Sequence, residues 1–179
     1  MYITDQRKAP YASMRLGAVS VAYGGCGAVA VYNALVSLQK PAAFPEILQY
    51  FSARSFRTLL HGRFGMLPGQ VAAYFKKHGY RVKITASKRA MDSLARTAAA
   101  CILFYMFPVK KTFLGLQFPI PEAHFVEFSR ISDGYLARNT NNREGTACFS
   151  SPSAYGRRKS RFLPMGIFIF PNQQKTPVW

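Results

Sequence analysis

The sequence predicts an α+β fold, with helices in the first half of the chain and a mostly antiparallel sheet in the second. Three observations carry that expectation. The segment CGAVAVYNALVSL, from Cys26 to Leu38, is apolar nearly all the way round, as a helix buried at the centre of a domain must be. After Gly79 the apolar period changes to alternation, which is the pattern of half-buried strands. The run ACILFYMF, from Ala100 to Phe107, is continuously apolar and bounded by polar or proline-rich segments, as a central strand is.

The chain has 179 residues, 49% of them apolar and 15% aromatic. That is one domain's worth, residues 1–179, with enough large side chains to exclude wholesale disorder. Residues 1–15 read as an N-terminal arm. Residues 16–22 could be extended, and Tyr23-Gly24-Gly25 breaks them. The central helix then opens close to Cys26, and Lys40-Pro41 ends it.

Phe44 to Ala53 reads as a second helix, with Pro45 in its first turn. Pro68 to His78 reads as a third, with Lys76, Lys77 and His78 at its negative end and Gly79 as its stop. Tyr80 to Ala86 alternates as a strand, and Lys88 to Ala99 is expected to be helical. Residues 108–122 hold three prolines and are expected to form a loop. His124 to Ser132 and Tyr135 to Asn139 read as a hairpin turning at Asp133-Gly134. Residues 143–163 are expected to be a basic loop, and Met165 to Phe170 a last strand.

Lys and Arg number 24 against 7 Asp and Glu, a formal charge of +17. This bears on partners and solubility rather than on fold. Arg157, Arg158, Lys159 and Arg161 form an anion-binding patch, flanked by Tyr155 and Phe162. No RNA- or DNA-reading motif accompanies the patch, so nucleic acid is not the expected partner. An anionic peptide, polymer or membrane surface accounts for the charge equally well.

Cys26, Cys101 and Cys148 are odd in number and widely spaced. They make no disulfide framework and no CxxC metal spacing, so neither a metal nor another cofactor is expected. No signal peptide is legible at the N-terminus. The longest apolar helical stretch is far short of the ~20 residues that cross a bilayer. The expectation is a cytoplasmic protein without a membrane span. Cys101 is expected in the core, Cys148 in a polar loop, and His61 and His78 at the surface.

Cys26, His124 and Asn139 are the residues whose chemistry fits together. A thiol at a helix start lies against unpaired N–H groups and the positive end of the helix dipole, which favour thiolate. An imidazole nearby can take the thiol proton. The Cys26 N–H could bind an oxyanion, and Gly24 and Gly25 keep side chains off the approach to sulfur. The register is less helpful. Closing the hairpin at Asp133-Gly134 sets 132 opposite 135, so 124 faces 143 and 128 faces 139. A contact between His124 and Asn139 then needs a bulge, a strong twist or a longer turn, and Asn141 and Asn142 remain rivals.

The segment YGGCGAVAVYNAL resembles the active-site helix of papain-like cysteine proteases. Within that group, HFVEFSRISDGYLARNTN and FGMLPGQVAAYFKKHGYRV make the chain most similar to the bacteriocin-processing peptidases, which cut after double-glycine leaders. The resemblance covers roughly residues 16–142. It implies a papain-like fold, with the active-site helix packed on the sheet. It also implies a thiol hydrolase acting on a peptide or amide substrate through a thioester. In it Cys26 is the nucleophile, His124 the base and acid, and Asn139 the residue that orients the imidazole. Such enzymes usually carry a Gln about six residues before the Cys to complete the oxyanion hole, and Ser20 stands there. Ser20, Tyr23 and Gly25 are the nearby candidates to line the cleft. The alternative is an inactive papain-like domain that holds an anionic partner on its basic surface.

Overall fold

A computed structural model describes residues 1–53, 65–113, 116–160, 162 and 164–171. A two-residue hairpin, β1 (Arg15–Leu16) and β2 (Val19–Ser20), leads into a single turn, α1 (Val21–Gly24). The central helix α2 (Cys26–Ser37) follows, and then α3 (Phe44–Ser52) and α4 (Pro68–Lys77). The second half runs β3 (Arg81–Thr85), α5 (Lys88–Ala95), β4 (Ala100–Phe113), β5 (Leu116–Ile131) and β6 (Gly134–Arg138). It ends with β7 (Thr146–Phe149), α6 (Pro152–Lys159) and β8 (Met165–Phe170). Six strands form one antiparallel sheet in the order β3-β8-β4-β5-β6-β7. Among the described residues no helix is long and apolar enough to cross a membrane.

Alternation along the strands divides the core in two. Ile102, Phe104, Phe125, Ile167 and Ile169 face α2, α3 and α4, where they meet Val29, Val31, Phe51 and Phe75. Cys101, Leu103, Tyr105, Val126, Phe128 and Phe168 face the other way, toward Met91 of α5 and Tyr155 of α6. The sheet is therefore covered on both faces. This explains why β4 and β8 read as continuous apolar runs. Along α2, Cys26 to Val31 and Asn33 to Leu35 are all buried. Asn33 is satisfied there: its amide donates to the Ile3 carbonyl and its oxygen accepts from the Ile3 N–H, both at 2.8 Å. The N-terminal arm is thus fastened to the central helix.

Three expectations are corrected. Residues 108–122 are not a loop, since β4 and β5 continue as a two-stranded ribbon through Phe113 and Leu116. Pro108 faces Pro121, and Pro119 faces Lys110. The Met106 N–H donates outward to Ser160 Oγ, so with a period of two the missing N–H groups of Pro108, Pro121 and Pro119 also fall on the outer side. The pairing neighbours β8 and β6 reach only Phe104 and Glu127, so nothing requires those donors.

The second correction concerns residues 143–163, which hold β7 and α6 rather than a plain loop. Ser151 caps α6 by accepting from Ala154 N, and Pro152 occupies its first turn. Third, the hairpin turns at Ser132-Asp133, with Ile131 opposite Gly134. Gly134 has φ 145°, and a Cβ there would lie 2.5 Å from the Phe149 carbonyl oxygen.

Gly134→Ala should therefore destabilise the protein by roughly 1–3 kcal/mol, the usual cost of a forced backbone conformation. Thermal unfolding of the variant should begin several degrees earlier. An unchanged midpoint would mean that the turn has room for a side chain.

Candidate active site

Cys26 is the first residue of α2. Gly25 precedes it for a reason of packing. A Cβ on Gly25 would lie 2.6 Å from Val21 Cγ1, and the Gly25 N–H already donates to the Val21 carbonyl at 2.9 Å. Gly25 thus lets α1 fold tightly onto α2, but it is buried and has no free donor for a cleft. Ser20 is half-buried just before α1 and makes no side-chain cap to it. Tyr23 is 68% exposed.

His124 lies in β5 opposite Tyr105, and the two rings meet edge to face at 5.7 Å. Its Nε2 is 2.5 Å from the carbonyl oxygen of Asn139. A carbonyl can only accept, so Nε2 carries the proton and Nδ1 keeps the lone pair. The contact became reachable because the true turn shifts the register by two, and because Asn139 leaves β6 in the left-handed region at φ 61°. Asn139 therefore meets His124 through its backbone rather than its amide. Of the rivals, Asn142 bonds Thr140 and the Thr146 carbonyl, and Asn141 is exposed.

The Asn139 amide belongs to Gln6. The Gln6 N–H donates to Asn139 Oδ1 at 3.0 Å, and Asn139 Nδ2 donates to Gln6 Oε1 at 2.9 Å. Gln6 Nε2 then donates to the carbonyls of Val21 and Ala22, at 2.9 and 3.2 Å. One buried side chain so ties the turn before Cys26 to the residue that holds His124. Both Gln6 amide hydrogens are used, which leaves none for an oxyanion. No spacing rule could have singled it out, because its partners lie 15 and 133 residues away.

The Cys26 sulfur has the backbone N–H groups of Phe125, Gly27 and Cys26 itself turned toward it. Phe125 directly follows His124, so the sulfur sits against the strand one residue beyond the imidazole. Burial nevertheless dominates: it pushes the thiol up to about 11, against the pull of those donors. The low-pKa thiolate expected at a helix start is thus not what this dry arrangement gives. Burial also presses His124 down to about 4, partly offset by its bond to Asn139. The nearby Arg7 and Asp5 pull in opposite directions, and they are paired with each other at 2.8 Å.

Cys101 is core and Cys148 is exposed. His78 is exposed, and its Nδ1 lies 2.7 Å from the Tyr74 carbonyl. Arg157 and Arg158 are exposed, and with Lys159 they form the last turn of α6. Arg161 and His61 lie outside the described residues.

No family model matches the chain. No curated protein matches it either. Among solved structures it is similar to the peptidase domain of Streptococcus ComA, a bifunctional ABC transporter of a quorum-sensing pathway. The two share 11% identity over 82% of this chain and 90% of that one, with a TM-score of 0.49. A likeness that slight carries no argument about activity.

Two measurements test this geometry. The folded state holds the His124 imidazole at about 4, against an ordinary 6.5. Its contribution to stability is therefore whole above pH 6.5 and drains away as the pH falls through 4, by roughly 3 kcal/mol. Denaturant unfolding at pH 7 and pH 4 should show that share of the loss disappearing in His124→Gln, and equal slopes would remove His124 as its source. In the second, Gln6→Ala strands the buried Asn139 amide and should cost roughly 2–4 kcal/mol. The exposed Gln49→Ala should cost almost nothing.

Proposed function

We propose that this chain is a papain-like thiol hydrolase that cleaves a peptide or amide bond by acyl transfer at Cys26. One observation supports the reading above others. The Nε2–H of His124 is committed to the Asn139 carbonyl, which leaves the Nδ1 lone pair free to act as a base.

In the reaction the Cys26 Sγ–H proton passes to His124 Nδ1 as sulfur attacks the substrate carbonyl. The carbonyl π pair moves onto oxygen, where the N–H groups at the start of α2 receive it. The C–N bond then breaks, and His124 protonates the leaving amine. Water attacks the thioester with His124 as base, and the proton returns to sulfur. The Asn139 carbonyl stabilises the imidazolium while it lasts.

Burial pushes the thiol up and the imidazole down, so in the dry site proton transfer from Cys26 to His124 is uphill, offset only by the attraction between the charges it creates. The dry arrangement is therefore a resting one, and a polar substrate or water must enter before the pair works. The same burial favours the second reading, an inactive domain binding an anionic partner through Arg157, Arg158, Lys159 and Arg161.

A peptide library analysed by mass spectrometry separates the two. Wild type should yield products that Cys26→Ala does not, and His124→Ala should lower turnover on the order of 100-fold or more. Arg157→Gln with Arg158→Gln should leave turnover unchanged. Wild type and Cys26→Ala giving the same products, with salt-sensitive anion binding that the arginine variant loses, would reverse the choice.

A further inference from the structure

On the sheet face away from α2 lies a cavity of about 240 Å³ that shares no residue with the candidate active site. Its walls come from three places: the end of α5 with Asp92 and Arg96, the β5–β6 turn with Arg130, Ser132 and Tyr135, and Ser150-Ser151 before α6. The charges there are unevenly committed. Asp92 and Arg96 stand four apart, a spacing that normally pairs them across one helical turn. Instead the Asp92 carboxylate turns to α6, accepting from Ser153 N at 3.0 Å and Ser153 Oγ at 2.6 Å. Two arginines find carboxylates, Arg7 with Asp5 and Arg138 with Glu127. Among the described residues neither Arg96 nor Arg130 has such a partner.

We infer that this cavity is a binding site for a small phosphate monoester. The two guanidinium groups, the Tyr135 hydroxyl and the Ser150 hydroxyl line the cavity and are donors of the kind that phosphate oxygens accept, whereas Ser132 Oγ already donates to Asp133. Burial keeps Tyr135 protonated, and so a donor. The floor is built rather than loose, because Gly134 is pressed against the Phe149 carbonyl. Asp92 also lines the cavity, and its engagement with Ser153 leaves the two arginines in excess. The volume is roughly that of eight waters, more than a bare phosphate fills and less than a drug-sized ligand needs. A phosphate with a short organic tail fits that size.

Isothermal titration of the full chain with O-phosphoserine, serine and inorganic phosphate tests the site. O-phosphoserine should bind one to one, and serine should not bind. Each of Arg96→Gln and Arg130→Gln should weaken binding on the order of 10- to 100-fold, as loss of a charge-assisted hydrogen bond does. Unchanged thermal unfolding would show that these variants remain folded. The double change Lys76→Gln with Lys83→Gln, at exposed positions of α4 and β3, should leave affinity unaltered. Inorganic phosphate binding as tightly as O-phosphoserine would overturn the monoester assignment. No binding by wild type at low salt, or an equal loss in the Lys76 and Lys83 variant, would overturn the site itself.

Discussion

The structure turns on a side chain-to-side chain amide pair between the first few residues of the chain and the end of β6. Asn139 is 1% exposed, yet each of its polar groups is met: the N–H by Thr4, the amide by Gln6 and the carbonyl by His124. A buried amide left open would cost several kcal/mol. The arm must therefore be in place before the His124 ring can be held. Asn33 repeats the device on the central helix, fixing Ile3 from both sides. Residues with no chemistry of their own thus decide where the reactive ones stand.

The same dryness governs the electrostatics. Cys26 and His124 sit where neither charged form is favoured, although the helix start and the strand N–H both lean toward thiolate. Desolvation wins because it acts on the whole group, whereas each N–H contributes one modest bond. On the α2 face the buried Glu127 shows the same balance. It accepts from Ser37, Ser129 and Arg138, yet burial still holds its carboxyl above the ordinary range, and the network only partly offsets that push.

Much of this was legible in the sequence. The all-round apolar α2, the alternation in β5 and the breaks at Gly79 and Lys40-Pro41 are local signals, and local signals place elements well. What was illegible depended on partners far away. The ribbon through Pro108, Pro119 and Pro121 has the sequence signature of a loop because prolines usually end strands, and only the outward parity of those positions admits them. The helix α6 hid behind polar residues, although Ser151-Pro152 is a fair start signal. Asp133-Gly134 is the stronger local turn signal, but the chain turns at Ser132-Asp133, which shifts the pairing by two residues. The register and the left-handed backbone of Asn139 together bring His124 within reach of Asn139. Gln6 gave no signal at all, since its meaning lies in residues 15 and 133 positions away.

The ribbon has one more consequence. A long hairpin standing clear of its sheet offers two open rows of backbone groups, the template on which foreign strands add. Here the outer rows lack donors at Pro108, Pro119 and Pro121, and the exposed Lys110 brings charge to the same stretch. A strand from another molecule that laid itself alongside would find gaps in the ladder and no register that fills them. The prolines that disguise these strands in the sequence thus also keep the finished hairpin from growing into a larger sheet.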